Sequence, residues 1–134
     1  MNKLIVLFVF LICISNASFS QYKLDIEIIE IRNSTGNIML QLFDENKKVL
    51  NQELSPIQAE MCSFSIPNLK PGKYAVRYYH DENLNGKMET NLMGKPTEGY
   101  GFSNNVTGSF GPPPFAKWLF EINADKKIVL KPTY

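Results

Sequence analysis

Hydrophobic and polar residues alternate in several short runs along the chain. In the first run, Leu24, Ile26 and Ile28 alternate with polar side chains, and residues 37–44 repeat the same period. A period of two is typical of a β-strand that buries one face. Further strands are predicted at 47–54, 60–66, 73–80, 115–122 and 127–132. A short helical turn at 115–118 is the alternative for the start of the run at 115–122, and no amphipathic helix of useful length is predicted.

These runs predict an all-β fold. About seven short strands separated by turns favour an antiparallel seven-stranded β-sandwich, prealbumin-like or immunoglobulin-like. A turn rich in Pro and Gly at 67–72 precedes the strand at 73–80. Residues 94–114 lack a regular period, and a loop of that length is usually functional or packed by its own side chains. No repeat or linker divides residues 21–134, so we expect one domain.

The N-terminus has the pattern of a signal peptide. Lys3 precedes an unbroken apolar run at 4–14, which is too short to span a bilayer, and small residues follow it. We therefore expect residues 1–20 to be removed on export, leaving a periplasmic or extracellular chain without a membrane span. A lipoprotein anchored at Cys13 is the less favoured alternative, because Ile12 stands where a small residue is expected.

The charge balance and the cysteine count limit which classes of partner and which means of stabilisation are expected. Without Lys3, the 14 Lys and Arg residues fall to 13, equal to the 13 acidic residues. This balance argues against binding to nucleic acid or an anionic membrane surface, because both need a clustered positive field. Cys62 would then be the only cysteine, expected as a buried apolar residue rather than a reactive thiol. A small exported domain without a disulfide often needs another means of stabilisation, and a bound metal is one such means.

Oxygen-bearing side chains recur at every second position after residue 80. Asp81, Asn83 and Asn85 are followed by Gly86, and this spacing of hard oxygen donors around a glycine is typical of a calcium loop. The predicted ligands are Asp81, Asn83, Asn85, the main-chain carbonyl of Lys87, Glu89 and Asn91.

Two comparisons limit this calcium prediction. Leu92 occupies the twelfth position, where an EF-hand has its bidentate Glu, and a strand rather than a helix precedes the loop. Because few ligands are charged, we expect a weak site, roughly 10⁻⁴–10⁻³ M. The alternative is an Asx-rich turn, in which Asn and Asp side chains bond to nearby backbone groups.

A second candidate site lies in residues 98–105, where aromatic residues alternate with glycines. Tyr100 and Phe102 are candidates for stacking on a sugar or peptide, and Asn104 and Asn105 are candidates for hydrogen bonding to it. In the alternative, the rings fold back over one end of the sandwich and the glycines allow close approach. Phe115 and Trp118 are expected to be core residues.

Two sequence motifs resemble known families. Residues 69–76, Leu-Lys-Pro-Gly-Lys-Tyr-Ala-Val, resemble the turn and strand of prealbumin-like and Cna-B-type domains. Residues 80–91 followed by 94–105 resemble the uncharacterised bacterial domain-of-unknown-function family 2141. That resemblance implies an exported β-sandwich and supplies no established activity. Glu89 stands where the family more often has Asp, which leaves its ligand geometry open.

The sequence favours an exported, non-enzymatic domain that binds an unknown protein or glycan, or assembles with it, at the cell envelope. A carbohydrate- or peptide-binding module using residues 98–105 is the alternative. A transthyretin-like hydrolase is less favoured, because His80 is the only histidine. The chain also ends Lys-Pro-Thr-Tyr, whereas hydroxyisourate hydrolases end Tyr-Arg-Gly-Ser.

Overall fold

A computed structural model describes residues 18–134. Cys13 and all but the last three residues of the predicted signal peptide lie outside this range. The strands are β1 (Tyr22–Ile28), β2 (Asn37–Asp44), β3 (Val49–Pro56), β4 (Cys62–Leu69), β5 (Gly72–Asp81), β6 (Tyr100–Phe102), β7 (Phe120–Ile122) and β8 (Lys126–Leu130). Two 3₁₀ turns cover Ser103–Asn105 and Phe115–Lys117. Within residues 18–134 there is no helix of the length and apolarity needed to cross a membrane.

The strands form two sheets. One has the order β4-β1-β8, and the other contains β3, β2 and β5, with β6 and β7 both paired to β5. The long strand β5 pairs with β7 near its start, where Gly72 is opposite Ile122, and with β6 near its end, where Tyr79 is opposite Tyr100. The end of β5 therefore brings the loop that begins at Asp81 next to the aromatic-glycine segment.

The main core contains alternate side chains from both sheets, as the sequence period predicts. In β1 the buried residues are Leu24, Ile26 and Ile28, which confirms the predicted inward face. The other sheet contributes Ile38, Leu40, Leu42, Tyr74, Val76 and Tyr78. Cys62 is buried among them, as predicted, and burial raises the pKa of its thiol.

The all-β prediction is confirmed, while its details need correction. The structure has eight strands in residues 18–134 rather than seven, and β1 pairs with β8 in parallel rather than antiparallel. The additional strand is β6, which lies in a segment predicted to be irregular. The run predicted at 115–122 divides into a 3₁₀ turn and the three-residue strand β7. Strands of three residues are too short to show a period.

A second, smaller apolar cluster lies on the opposite face of the five-stranded sheet. Phe43, Ala75, Phe102 and Trp118 are buried there. The rings of Phe102 and Trp118 have centroids 4.3 Å apart, and Trp118 Nε1 donates to the carbonyl of Pro113 at 3.0 Å. Burial of Trp118 is as predicted, whereas Phe115 is only half-buried at the edge of this cluster. The cluster covers part of this outer face.

Candidate functional site

The predicted calcium loop begins at the buried end of β5. Asp81 is 3 % exposed, and its carboxylate accepts two backbone hydrogen bonds, from Asn85 N at 3.1 Å and from Gly86 N at 2.8 Å. Gly86 has φ +75°, the left-handed conformation that glycine adopts at low cost, as the sequence predicts. Asp81 thus closes the turn over residues 81–86.

Three exposed side chains of the loop converge on one another. Asn83 Nδ2 and Asn85 Nδ2 each lie 2.7 Å from the same atom, Glu89 Oε1. The amide oxygen of Asn83 accepts from Asn85 N, and that of Asn85 accepts from Lys87 N. Four of the six predicted ligand residues, Asp81, Asn83, Asn85 and Glu89, therefore join one hydrogen-bond network through their side chains, and Lys87 joins it through its backbone N–H.

The other two predicted ligand residues are placed differently. Lys87 lies in the loop and its N–H bonds to Asn85. Asn91 lies in a separate turn, because its side-chain oxygen accepts from Met93 N at 2.9 Å and Lys95 N at 3.0 Å. Within residues 18–134 there is no group of three or more His, Cys, Asp or Glu residues that could hold a metal. A calcium ion here would need amide and main-chain oxygens beside the two carboxylates, and this ligand set stays a prediction.

Sequence reasoning missed Glu98, which organises the base of the loop. Glu98 is 4 % exposed, and its two carboxylate oxygens accept from Glu82 N at 3.0 Å and Glu89 N at 3.1 Å. It thereby fixes the two sides of the loop relative to each other. A single Glu beside Gly99 carries no spacing signal, so only the fold reveals this role.

A buried polar cluster lies next to the start of the loop. His80 is fully buried, with Nε2 2.7 Å from the carbonyl of Thr35 and Nδ1 3.0 Å from Tyr134 Oη. Because a carbonyl only accepts, Nε2 carries the proton, and in the neutral ring Nδ1 accepts from the tyrosine hydroxyl. Arg32 forms an ion pair with Glu82 and lies over the Tyr134 ring, 4.5 Å from its centroid. Burial raises the pKa of Tyr134.

The aromatic-glycine segment is divided between the two faces of the sheet. A Cβ atom at Gly101 would lie 2.3 Å from Tyr78 Oη, and one at Gly99 would lie 2.4 Å from Tyr134 Cε1. The two glycines therefore make room for tyrosine rings on the core side. Tyr100 and Phe102 point to the outer face, where Phe102 is buried in the smaller cluster and Tyr100 is half-buried beside it.

The two asparagines of the segment bond to distant parts of the chain. Asn104 Nδ2 donates to the carbonyls of Lys117 and Leu119, both at 2.9 Å. Asn105 donates to the carbonyl of Val129 at 3.2 Å and accepts from Lys131 N at 2.9 Å. These bonds attach the segment to the backbone of residues 117–131. The ligand-binding role of Asn104 and Asn105 stays a prediction.

A groove of about 960 Å³ lies on the outer face of the five-stranded sheet. Arg77, Tyr79 and Tyr100 lie on its floor, and residues of the segments 88–96 and 108–112 form its walls. The Tyr79 hydroxyl donates to the carbonyl of Gly86 at 3.0 Å, so the floor of the groove is joined directly to the loop. The two predicted sites are therefore neighbours, one at the sheet end and one on its face.

The fold defines a small all-β protein of two sheets with an Asx-rich loop at one end. A family model described as an uncharacterized protein conserved in bacteria, DUF2141, matches residues 26–129, and the chain belongs to this family. That match confirms the family resemblance, whereas the prealbumin-like resemblance of residues 69–76 stays a prediction. A search among curated proteins found no match.

Proposed function

We propose that this protein is an exported, non-enzymatic binding module of the cell envelope and that its loop 81–91 binds calcium. The observation that carries the proposal is the convergence of Asn83 and Asn85 on Glu89, with the N–H of Asn85 also bonded to the carboxylate of Asp81. This places two carboxylates and two amides around one small region. Oxygen donors of these types are the ligands that Ca²⁺ takes in proteins.

Calcium binding would replace the hydrogen bonds that now hold this network. Both amide nitrogens donate to Glu89 at 2.7 Å, so bonds from amide and carboxylate oxygens to the ion would take over from these bonds. The two carboxylate oxygens of Glu98 already fix the backbone of the loop by accepting from Glu82 N and Glu89 N, which reduces the entropy lost on binding. With two charged ligands, the affinity expected is weak, roughly 10⁻⁴–10⁻³ M.

The environment of His80 supports a role without catalysis. A general base must reach the proton that it abstracts. The His80 ring is fully buried, and both of its nitrogens have partners within the chain. His80 therefore serves this proposal as the residue that orients the strand end before Asp81. Export rests on the signal-peptide pattern of residues 1–20.

The test is thermal unfolding of residues 21–134 in EDTA, followed by a calcium series with magnesium as the control ion. At ten times the dissociation constant, calcium should raise the free energy of unfolding by about 1.4 kcal/mol. Glu89→Gln should abolish this rise, whereas Glu45→Gln, which changes an exposed carboxylate in another turn, should preserve it. No change up to about 10 mM calcium, ten times the weakest constant expected, would make the loop an Asx-rich turn.

A carbohydrate- or peptide-binding module is the second candidate, and one observation favours it. The half-buried rings of Tyr79 and Tyr100 both line the groove. Tyrosine rings bind ligands through a broad apolar face and a polar tip. Of the four residues predicted to bind such a ligand, Tyr100 is the one that presents a partly exposed ring to the groove.

A further inference from the structure

We propose that the groove on the outer face of the five-stranded sheet binds an amphiphilic anion, a single apolar chain with a carboxylate head. This inference rests on the binding role proposed above and names its ligand. The first observation is the exposed apolar rim. Met93 is 93 % exposed and Phe110 is 105 % exposed, and they line the groove from its two wall segments, 88–96 and 108–112. Large apolar side chains exposed around one opening indicate a ligand or partner surface.

The charged residues of the groove favour a ligand with a negatively charged head group. The charged residues in its lining are Lys47, Arg77 and Lys95, and no carboxylate of residues 18–134 lines it. None of these three cations forms an ion pair with a carboxylate in the described part of the chain. A groove that presents only positive charge beside apolar walls is complementary to an apolar anion.

Arg77 is held in place for this contact. Its Nε donates to Gln41 Oε1 at 2.8 Å, and Gln41 in turn donates to Gln52 at 2.7 Å. The guanidinium carbon lies 5.4 Å from the centroid of the Phe43 ring. A guanidinium fixed through Nε keeps its terminal N–H groups for a carboxylate, to which they bind in a bidentate manner.

The size and the floor of the groove favour a flexible chain over a peptide strand. A volume of about 960 Å³ is at the upper end of the range for small-molecule pockets. Of the strands under the groove, β2 and β5 are each paired on both sides. Tyr100 of the edge strand β6 exchanges two backbone hydrogen bonds with Thr133, so none of these positions offers a free edge to which a peptide strand could add. Met39, Met88 and Met93 in the lining are unbranched and adapt to a flexible apolar chain.

Trp118 provides the readout, because it is the only tryptophan and lines the groove. Dodecanoate, kept below its micelle concentration, should change the fluorescence of Trp118 in a saturable manner. Dodecyltrimethylammonium has the same chain with a cationic head, and it should bind at least about tenfold more weakly, because a charge-assisted bond to Arg77 is lost.

Two pairs of variants separate the head contact from the chain contact. Arg77→Gln should weaken dodecanoate binding about tenfold, whereas Lys126→Gln, on the other sheet, should leave it unchanged. Met93→Ser should also weaken binding, whereas Leu92→Ser should not, because Leu92 is equally exposed but does not line the groove.

Thermal unfolding of the same samples, with and without calcium, keeps this proposal distinct from the calcium site. Saturable binding of dodecanoate with the expected variant pattern supports the groove assignment, whatever the response to calcium. Equal binding of the two head groups would overturn it. The absence of a saturable response to dodecanoate would overturn it as well.

Discussion

The loop 81–91 and the segment 99–105 are built in opposite ways. Residues 83–91 are exposed, and the side-chain bonds of Asn83 and Asn85 stay within the loop itself. In the segment 99–105, Gly99 lies under the ring of Tyr134 and Asn104 bonds to Leu119. The exposed part of the loop is therefore held by its own side chains, with Glu98 bonded only to its base, whereas the segment is held throughout by contacts with distant parts of the chain.

This difference determines what each region can do. An exposed loop with its own hydrogen-bond network can exchange those bonds for a metal without disturbing the core. A segment that fits under two tyrosine rings cannot move without opening the core on one side and the smaller cluster on the other. The segment can therefore serve only as a rigid floor for a ligand, with Tyr100 at its surface.

The largest effect is expected from Gly101→Ala. Its new Cβ would lie 2.3 Å from Tyr78 Oη and 2.5 Å from Tyr78 Cζ, and Tyr78 is only 2 % exposed, so the ring has no room to move away. We expect the free energy of unfolding to fall by about 3 kcal/mol, as for an overpacked core site. Chemical denaturation measures this change.

Gly94→Ala is the matched control for that substitution. Gly94 lies between the two regions with φ +77°, and apart from Gly94 and its two chain neighbours no atom lies within 4 Å of the point that its new Cβ would occupy. Its loss should be about 1 kcal/mol, from backbone conformation alone. Equal losses at Gly94 and Gly101 would show that the aromatic-glycine segment is not constrained by packing.

The contrast between local and distant contacts also explains which elements the sequence predicts. The alternation in residues 22–28 and 37–44 reports burial directly, so the strands and their inward faces are correct. Strand β6 was not predicted, because a glycine between two aromatic residues is typical of a loop. The reason for the glycines, which make room for tyrosine rings, is visible only in the fold. The parallel pairing of β8 with β1 depends on the path of the chain between these two strands, and no local sequence pattern predicts that path.

The second prediction concerns Glu98, which joins the two regions. Glu98→Ala would leave the N–H groups of Glu82 and Glu89 without their acceptors at the base of the loop. Because unpaired backbone donors are costly, we expect a loss of about 2 kcal/mol and faster amide hydrogen exchange at both positions.

Glu98→Gln tests the same contact with the shape retained. The amide keeps one acceptor oxygen, so it should preserve one of the two bonds and lose roughly half as much stability. If amide hydrogen exchange at residues 82 and 89 is no faster in Glu98→Ala than in the original protein, the loop is fixed by its own Asx bonds alone.

The candidate site likewise has a part with a local sequence signal and a part without one. The spacing of Asp81, Asn83 and Asn85 is a local signal, and the structure brings these side chains together with Glu89. Glu98 and the cations of the groove come from separate parts of the chain, and only the sheet places them side by side. The sequence pattern therefore predicts the loop, but it predicts neither the buried Glu98 at its base nor the groove beside it.

The smallest effect is expected from Tyr78→Phe, and its sign is a gain. The Tyr78 hydroxyl is buried on the core side of Gly101, and it has no hydrogen-bond partner among residues 18–134. Burial accordingly raises its pKa. Removing a buried hydroxyl without a partner should raise the free energy of unfolding by about 1 kcal/mol, because its desolvation cost disappears.

Tyr74→Phe is the control, since the Tyr74 hydroxyl donates to the carbonyl of Lys70 at 2.7 Å and its removal should destabilise the protein. If both variants lose stability, the Tyr78 hydroxyl makes a favourable contact, and the fit of this ring over Gly101 is less costly than the geometry indicates.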